Sequence, residues 1–306
     1  MKVGIIGLGL MGSSMALALK KNNDNIIIFG HDLNEHHLDY SINNDIIDHI
    51  LSNQLIAEMD IIFIAVPVKS IAKVINKIHP YLDKDKTLLT DMGSTKSYIC
   101  GEIMKNFPHL DFIGGHPMTG REVSGPENAN PDLYTNMTYI LIDYKDNKKL
   151  DQDINKNALD DKLDGKKEQL ESILNKIGCN LVFMEAETHD KIVALTSHLP
   201  HFIAISLINR IIKSEAEYPD INKIMGQGFR DFTRIAACSP DMWKDIFISN
   251  REHIIDQLNQ MIEQMLVFRD TIDNGNELKI YEILETAREK RLLLNKEFEK
   301  VSNDEI

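Results

Sequence analysis

Lys2 to Gly12 reads KVGIIGLGLMG, a short apolar strand that runs straight into Gly7, Gly9 and Gly12 and then into a helical pattern. The glycines form G-x-G-x-x-G, in which the first allows a tight turn, the second lets backbone approach a pyrophosphate, and the third lets helix pack closely on strand. A helix that begins there directs free N–H groups and a partial positive charge at phosphate. Gly7, Leu8, Gly9, Leu10, Met11 and Gly12 are therefore candidate dinucleotide contacts. A glycine triplet by itself is a weak signal, but the strand before it and the helix after it supply the context that the motif requires.

Beyond the loop, a second apolar strand, Ile26 to Phe29, leads to Gly30-His31-Asp32, setting a carboxylate about twenty residues past the last glycine. A carboxylate there accepts hydrogen bonds from the adenosine ribose hydroxyls and repels a 2'-phosphate. Leu33, Asn34 and Glu35 follow, where NADP would want Arg or Lys. NAD is the expected cofactor. Asp32 also reads as the N-cap of the next helix, a role compatible with the first.

Further apolar runs at Ile61–Val66, Thr87–Thr90, Phe112–Gly114, Tyr139–Ile142 and Leu181–Met184 alternate with amphipathic segments, the pattern of a parallel sheet with crossover helices. Their continuous hydrophobicity implies cover on both faces. From about Glu187 apolar residues recur at helical spacing and no convincing strand remains. The expected fold is α/β: an NAD-binding Rossmann-type domain with a mostly parallel sheet over 1–186, then an all-helical dimerisation and substrate-binding domain over 187–306. Residues 145–167 and the tail after Val301 read as less ordered polar stretches, with a short helix over Glu168–Ile177. Ile254, Leu258, Met261, Ile262, Met265 and Phe268 form a stripe on one helix, and another helix is expected over about 277–297. Such long apolar faces either pack within the domain or across a homodimer, and the small size of a helical domain favours the dimer.

The 306 residues, 43% hydrophobic, suffice for two cores. A formal net charge of -13 would repel a phosphate backbone, so nucleic acid is not an expected partner. It also means that an anionic substrate must be caught by a few local cations. No run reads as the eighteen or more uncharged apolar residues of a membrane span, and the chain enters a strand without a signal sequence, so a cytoplasmic protein without membrane association is expected. Cys100, Cys179 and Cys238, odd in number and without metal-ligand spacing, read as reduced and structural.

In a doubly wound sheet, ligands sit beyond the carboxyl ends of the strands, so the residues just after strands are candidates. Val66 and Pro67 follow one strand and would border the nicotinamide or its ribose, although the proline equally reads as a loop stiffener. Asp91-Met92-Gly93-Ser94-Thr95-Lys96 follows the next, and Gly114-Gly115-His116-Pro117-Met118 the one after. On its own, His116 reads equally as a proton acceptor and as a structural histidine. Ser94 reads as a hydroxyl donor or as the N-cap of the following helix. His198 and His201, three apart, have a spacing that metal sites use, but Pro200 perturbs that turn and no metal is expected.

With DMGSTK before it, and SHLPH and GFRDFTRIAACSPDMWKDIFISN after it, GGHPMTGREVSGPENA resembles the prephenate dehydrogenase family. The likeness runs from the glycine loop to about Asn250. It implies a Rossmann domain followed by a helical dimerisation domain, and NAD-dependent oxidation of the C4 alcohol of prephenate with loss of carbon dioxide, giving 4-hydroxyphenylpyruvate for tyrosine synthesis. It further implies that His116 accepts the hydroxyl proton, that Ser94 bonds the same hydroxyl, and that Arg234 clamps a carboxylate. Arg230 is implied to support the fold, Glu122 and Asp231 to pair with the arginine, His201 to reach a substrate carboxylate, and Trp243 to lie near the pocket, where it equally reads as a core anchor. Arg121 stands where many relatives carry a small polar residue. Arogenate dehydrogenase shares the framework. A β-hydroxyacid dehydrogenase would need a catalytic lysine motif not evident here, and a non-catalytic NAD-sensing dimer would not need His116 and Arg234. Neither a chorismate mutase segment nor a regulatory ACT domain is evident in the chain.

Overall fold

The computed structural model describes residues 1–23, 25–142 and 156–303. Six strands, β1 (Lys2–Ile6), β2 (Ile27–His31), β3 (His49–Ile50), β4 (Ile61–Ile64), β5 (Leu88–Asp91) and β6 (Phe112–Ile113), form one parallel sheet in the order β3-β2-β1-β4-β5-β6. The order reverses direction at β1 and β4, which opens a crevice at their carboxyl ends. Helices α1 (Leu10–Asn22), α2 (Glu35–Asn43), α3 (Val68–Ile78) and α4 (Ser97–Asn106) make the crossovers.

The unbroken apolar runs have the cause expected of them. Val3, Ile5, Ile61 and Phe63 point into a core with Met15 and Leu19 of α1, whereas Ile6, Ile62 and Ile64, one residue out of phase, point into a second core with Ile71 and Ile75 of α3. A period of two with both phases buried leaves no polar position.

The run Phe112–Gly114 does not continue as one strand. After β6 the chain turns at Gly114 into β7 (Gly115–Pro117), which pairs antiparallel with β8 (Thr138–Ile142), and β8 pairs parallel with β9 (Asn180–Met184) in a separate sheet of three. His116 therefore lies within a strand and not in the loop after one. Two-sided cover also stops short of β9, the edge strand, where Val182 and Phe183 are exposed.

Helix α5 (Lys156–Ile177) starts well before the expected Glu168, because Leu163 extends the buried stripe of Leu170, Ile173, Leu174 and Ile177 backward by two turns. The rest of the expected polar excursion, and residues 304–306 of the tail, lie outside the described residues.

The helical half begins as expected, with α6 (Ala186–Val193), a π-helical turn over Ala194–His198 and α7 (Leu199–Ser214). Pro200, at the second position of α7, has no N–H for the preceding turn, which favours the wider π hydrogen bonding there. Residues Ala186–Ser214 are long and apolar enough, by length and composition alone, to cross a membrane. This corrects the expectation that no such run exists: between Lys191 and Arg210 the polar residues are all uncharged. The face that this run buries carries His189, Asp190 and His198 along with Val193, Leu199 and Ala204, and the three polar groups are paired with protein partners that lipid would not supply.

The described chain divides into two compact units, Met1–Arg251 and Glu252–Ile306. Strand gives way to helix near residue 186, but compaction continues past that point because α4 packs on α6 and α3 on α9 (Pro240–Ser249). In the second unit, α10 (Arg251–Asp273) and α11 (Glu277–Asn303) are joined at Gly275, whose φ of +62° suits the turn. Of the expected stripe Ile254 is buried, Leu258, Met261 and Phe268 are partly buried, and Ile262 and Met265 are exposed.

The third glycine of the loop is the tightest contact between helix and strand: a Cβ on Gly12 would fall 1.9 Å from the carbonyl oxygen of Gly7, whereas one on Gly9 would meet nothing. Gly12→Ala should cost on the order of 3 kcal/mol and lower Tm by several degrees, and Gly9→Ala should leave Tm unchanged. Calorimetry giving the same Tm for both variants would refute this packing.

Candidate active site

The glycine loop has the shape that a dinucleotide needs. Gly7 takes a φ of +100° and gives its N–H to the His31 carbonyl at 2.8 Å. A side chain on it would strike the Ala65 carbonyl and Val66, so the Val66-Pro67 turn that precedes α3 lies against the loop. Helix α1 starts after Gly9 with no side-chain cap and no acid in its first turn, which leaves its amides and positive end available for phosphate. The side chains of Leu8 and Leu10 are buried, so these two residues can offer a ligand only backbone.

Asp32 is not the N-cap of α2, since Asn34 takes that role by accepting from the His36 N–H at 3.0 Å. The Asp32 carboxylate instead accepts from the amides of Leu8 at 2.6 Å and Asn34 at 2.8 Å. It braces the loop against the end of β2 and retains lone pairs for a ribose. These residues fit NAD.

At the carboxyl end of β5 a second construction begins. Asp91 and Lys96 are wholly buried and ion-paired, and the Lys96 ammonium also donates to the Gly115 carbonyl at 2.6 Å. Asp91 accepts from the amides of Gly93 at 2.8 Å and Gly115 at 3.1 Å. The pair thus binds β7 to the end of β5, although the two strands belong to different sheets.

His116, centred on β7 opposite Ile140, is held by its Nδ1 at 2.8 Å from Nε2 of His189. His189 Nδ1 is 2.7 Å from Oδ1 of Asp190. The Asp190 carboxylate also accepts from the amides of Lys96 at 2.8 Å and Ser97 at 2.9 Å. It caps α4 from another part of the chain, and Ser94 is thereby released from the capping role. Ser94 is partly exposed, and its hydroxyl has no hydrogen-bond partner among the described residues.

Around this line, Asn250 donates to the Asp190 carbonyl at 2.8 Å and lies 3.2 Å from Nδ1 of His198. Trp243 is buried, meets His198 edge-on at 5.8 Å between ring centroids, and stacks on His201 at 3.7 Å. Trp243 is thus a core anchor, as one of its two readings has it, and its face stacks on His201. His198 and His201 face different partners and do not converge as a ligand pair.

Burial drives all four imidazoles toward the neutral form. His116 is pushed well below the usual histidine range by burial, with the His189, Lys96 and His198 charges adding to the effect. Burial lowers His189 against the opposing hydrogen bond to Asp190, and takes His198 down to about 4. His201 is lowered by burial too, with the Ser197 carbonyl and Glu122 resisting and Arg234 reinforcing. For Asp190, burial opposes ionisation, yet the His189 hydrogen bond and the two backbone amides hold its carboxyl below the usual range. The site is therefore a set of neutral rings around one anchored carboxylate.

Arg234 forms an ion pair with Glu122, as expected, and its side chain is 64% exposed, open to an incoming anion. Asp231 does not join them; it accepts from Gln227 at 2.6 Å, because both lie one turn apart on the short helix α8 (Gln227–Thr233) that ends before Arg234. Arg121 is exposed beside Glu122. The sequence reading missed His189 and Asp190 as parts of the site, and gave no role to Asp91, Lys96 and Asn250 although they lie in the DMGSTK and GFRDFTRIAACSPDMWKDIFISN stretches. The one local signal of His189 and Asp190 was an adjacent His-Asp followed by an uncharged helix, which carries no motif.

Neutral buried histidines couple the site to stability. Their folded pKa lies below the unfolded value, so the unfolded chain binds more protons as pH falls, and stability present above about pH 6.5 is lost on the way down. His198 by itself accounts for on the order of 3 kcal/mol between pH 6.5 and 4. Tm should drop steeply from pH 7 to pH 5, and His198→Gln should flatten the slope. A Tm independent of pH across that window would contradict the buried neutral state.

Comparison with known proteins agrees with this geometry. The family model described as "Prephenate dehydrogenase, nucleotide-binding domain" matches residues 15–166, and "Prephenate dehydrogenase, dimerization domain" matches 185–286. The chain is 32% identical to prephenate dehydrogenase of Bacillus subtilis over 94% of its own length and 74% of the relative's. It is 32% identical to that of Lactococcus lactis over 84% and 67%. Among solved structures, Aquifex aeolicus prephenate dehydrogenase, in complex with hydroxyphenyl propionate and NAD+, is similar at a TM-score of 0.84 and 28% identity, covering 96% of this chain and 98% of that one. With a glycine loop fitted to a dinucleotide and a buried imidazole beyond the same sheet, the chain belongs to the prephenate dehydrogenase family of NAD-dependent oxidoreductases.

Proposed function

We propose that the chain oxidises the C4 hydroxyl of prephenate with release of carbon dioxide, forming 4-hydroxyphenylpyruvate for tyrosine synthesis in the cytoplasm. The observation that carries this reading is His116, a buried neutral imidazole with one nitrogen tied to protein and the other left for a substrate. NAD would supply the hydride acceptor for C4 when bound. The backbone of Gly7, Gly9, Met11 and Gly12 would hold its phosphates, Asp32 would take the adenosine ribose, and Val66 and Pro67 would line the nicotinamide end.

The chain's own work is positioning and one proton. His116 accepts the hydroxyl proton as the C4 carbonyl forms, and Ser94, whose hydroxyl has no partner among the described residues, orients the same oxygen. Loss of carbon dioxide then restores the aromatic ring, and the proton held by His116 returns to the phenolic oxygen. Substrate carboxylates meet Arg234, whose guanidinium can make two parallel hydrogen bonds, and His201, fixed by its stack on Trp243. Glu122 holds Arg234 until an anion replaces it. In this scheme residues 1–186 bind NAD and supply His116 and Ser94, and 187–306 supply the carboxylate contacts of Arg234 and His201 and the dimer interface. The exposed Ile262, Met265, Leu266 and Leu284 of α10 and α11, in a region matched by a dimerization-domain model, support a homodimer.

His116→Asn should lower kcat by on the order of a hundredfold or more, with NAD binding kept; near wild-type turnover would remove His116 from the mechanism. Arg234→Ala should chiefly raise the prephenate KM, and an unchanged KM would count against the clamp. Steady-state kcat/KM for prephenate and arogenate decides the substrate, and a preference for arogenate would overturn the choice made here. Asp32→Ala combined with Leu33→Arg should shift selectivity toward NADP, and unchanged selectivity would refute the role given to Asp32.

A further inference from the structure

We propose that His189 and Asp190 are positioning residues that fix the tautomer of His116, keeping its Nε2 an unprotonated acceptor toward the substrate. The proposal rests on the reading of His116 as the proton acceptor and assigns the two residues behind it. It follows from a count of donors and acceptors along one line of hydrogen bonds.

The line ends at the Asp190 carboxylate, an acceptor only. It already receives the Lys96 and Ser97 amides at 2.8 and 2.9 Å, and the contact of 2.7 Å with His189 Nδ1 needs a proton on that nitrogen. A neutral His189 with its proton on Nδ1 has a lone pair on Nε2. The 2.8 Å contact between that Nε2 and His116 Nδ1 is then a hydrogen bond only if His116 donates. A neutral His116 with its proton on Nδ1 has a lone pair on Nε2. Each ring has one proton and each proton one place, so the whole line is determined by the carboxylate.

Neutrality of both rings is the premise, and the surroundings support it. The charged and titratable groups around His116 are Lys96 ahead of α4, Asp91 at the end of β5, His189 and Asp190 on α6, and His198 on the π turn. Lys96 is paired with Asp91, so the remaining carboxylate, Asp190, acts on His116 only through His189. Besides His189, Asp190 and its main chain have three partners from two separate segments, Lys96 and Ser97 at the start of α4 and Asn250. That anchorage holds the carboxylate, and with it both rings, against rotation. A replacement that leaves His189 protonated on Nε2 would reverse the line and put a proton on the nitrogen that must accept one.

The direct test uses the unmodified protein. In enzyme uniformly labelled with 15N-histidine at pH 7, His116, assigned by its absence in His116→Asn, should show a protonated Nδ1 and an unprotonated Nε2; a protonated Nε2 would overturn the proposal. Kinetics give the second test. His189→Leu removes the acceptor and should lower kcat for prephenate at least tenfold with KM within about twofold, whereas His189→Gln, whose amide oxygen can stand at the position of Nε2, should recover most of the loss. Asp190→Asn should reduce kcat in the same way, as removal of a buried carboxylate behind an imidazole does elsewhere. Wild-type kcat in both His189→Leu and Asp190→Asn, with His116→Asn inactive, would reject the positioning pair and leave His116 in place. An active His116→Asn would instead reject the reading on which the pair depends.

Discussion

The site depends on the low-dielectric burial of one carboxylate. Asp190 sits in a place where an unpaired charge would be prohibitive, and it is tolerated because an imidazole and two helix-terminal amides direct hydrogen bonds at it. Those bonds do three things at once. They cap α4, they join the helical segment after residue 186 to the end of β5, and they set the protonation of the ring behind His116. Loss of this acceptor would leave two amides and a histidine unsatisfied inside the protein, so fold and chemistry share one constraint.

The Asp91–Lys96 pair is its counterpart on the sheet side. A buried ion pair is weak evidence for stability, since desolvation offsets attraction. Here its consequence is geometric: Lys96 and Asp91 hold both backbone groups of Gly115 and so place His116 one residue further along. The same hexapeptide, Asp91 to Lys96, thus offers Ser94 to the site with its first and last residues sunk beneath it. Sheet crevice, glycine loop and imidazole meet at the carboxyl edge because the strand order reverses there, and backbone hydrogen bonding leaves those strand ends open.

Electrostatics around the site are sparse in a strongly acidic chain. Beside the neutral rings, Arg234 offers an exposed guanidinium, balanced by Glu122 while no anion is bound, and Arg121 is exposed next to Glu122. A substrate with two carboxylates would exchange that contact for its own, without help from a general positive field.

Much of this was legible in the sequence. Seven apolar runs became strands, G-x-G-x-x-G became the loop before α1, and the motifs name His116, Ser94, Arg234 and Glu122 as candidates, because strand periodicity, glycine spacing and long motifs are local patterns. What the sequence by itself determined was the dinucleotide fold, the family, and the residues whose meaning travels with a motif. Tertiary structure alone decided that Asp231 turns to Gln227, that Gly114 splits one run between two sheets, that α5 extends back to Lys156, and that His189 and Asp190 stand behind His116. The physical reason is separation along the chain: the contact of His116 with His189 spans 73 residues and that of Asp190 with Lys96 spans 94, and hydrogen bonds at that range are set by how helices and sheets pack, which leaves no periodic trace in either segment.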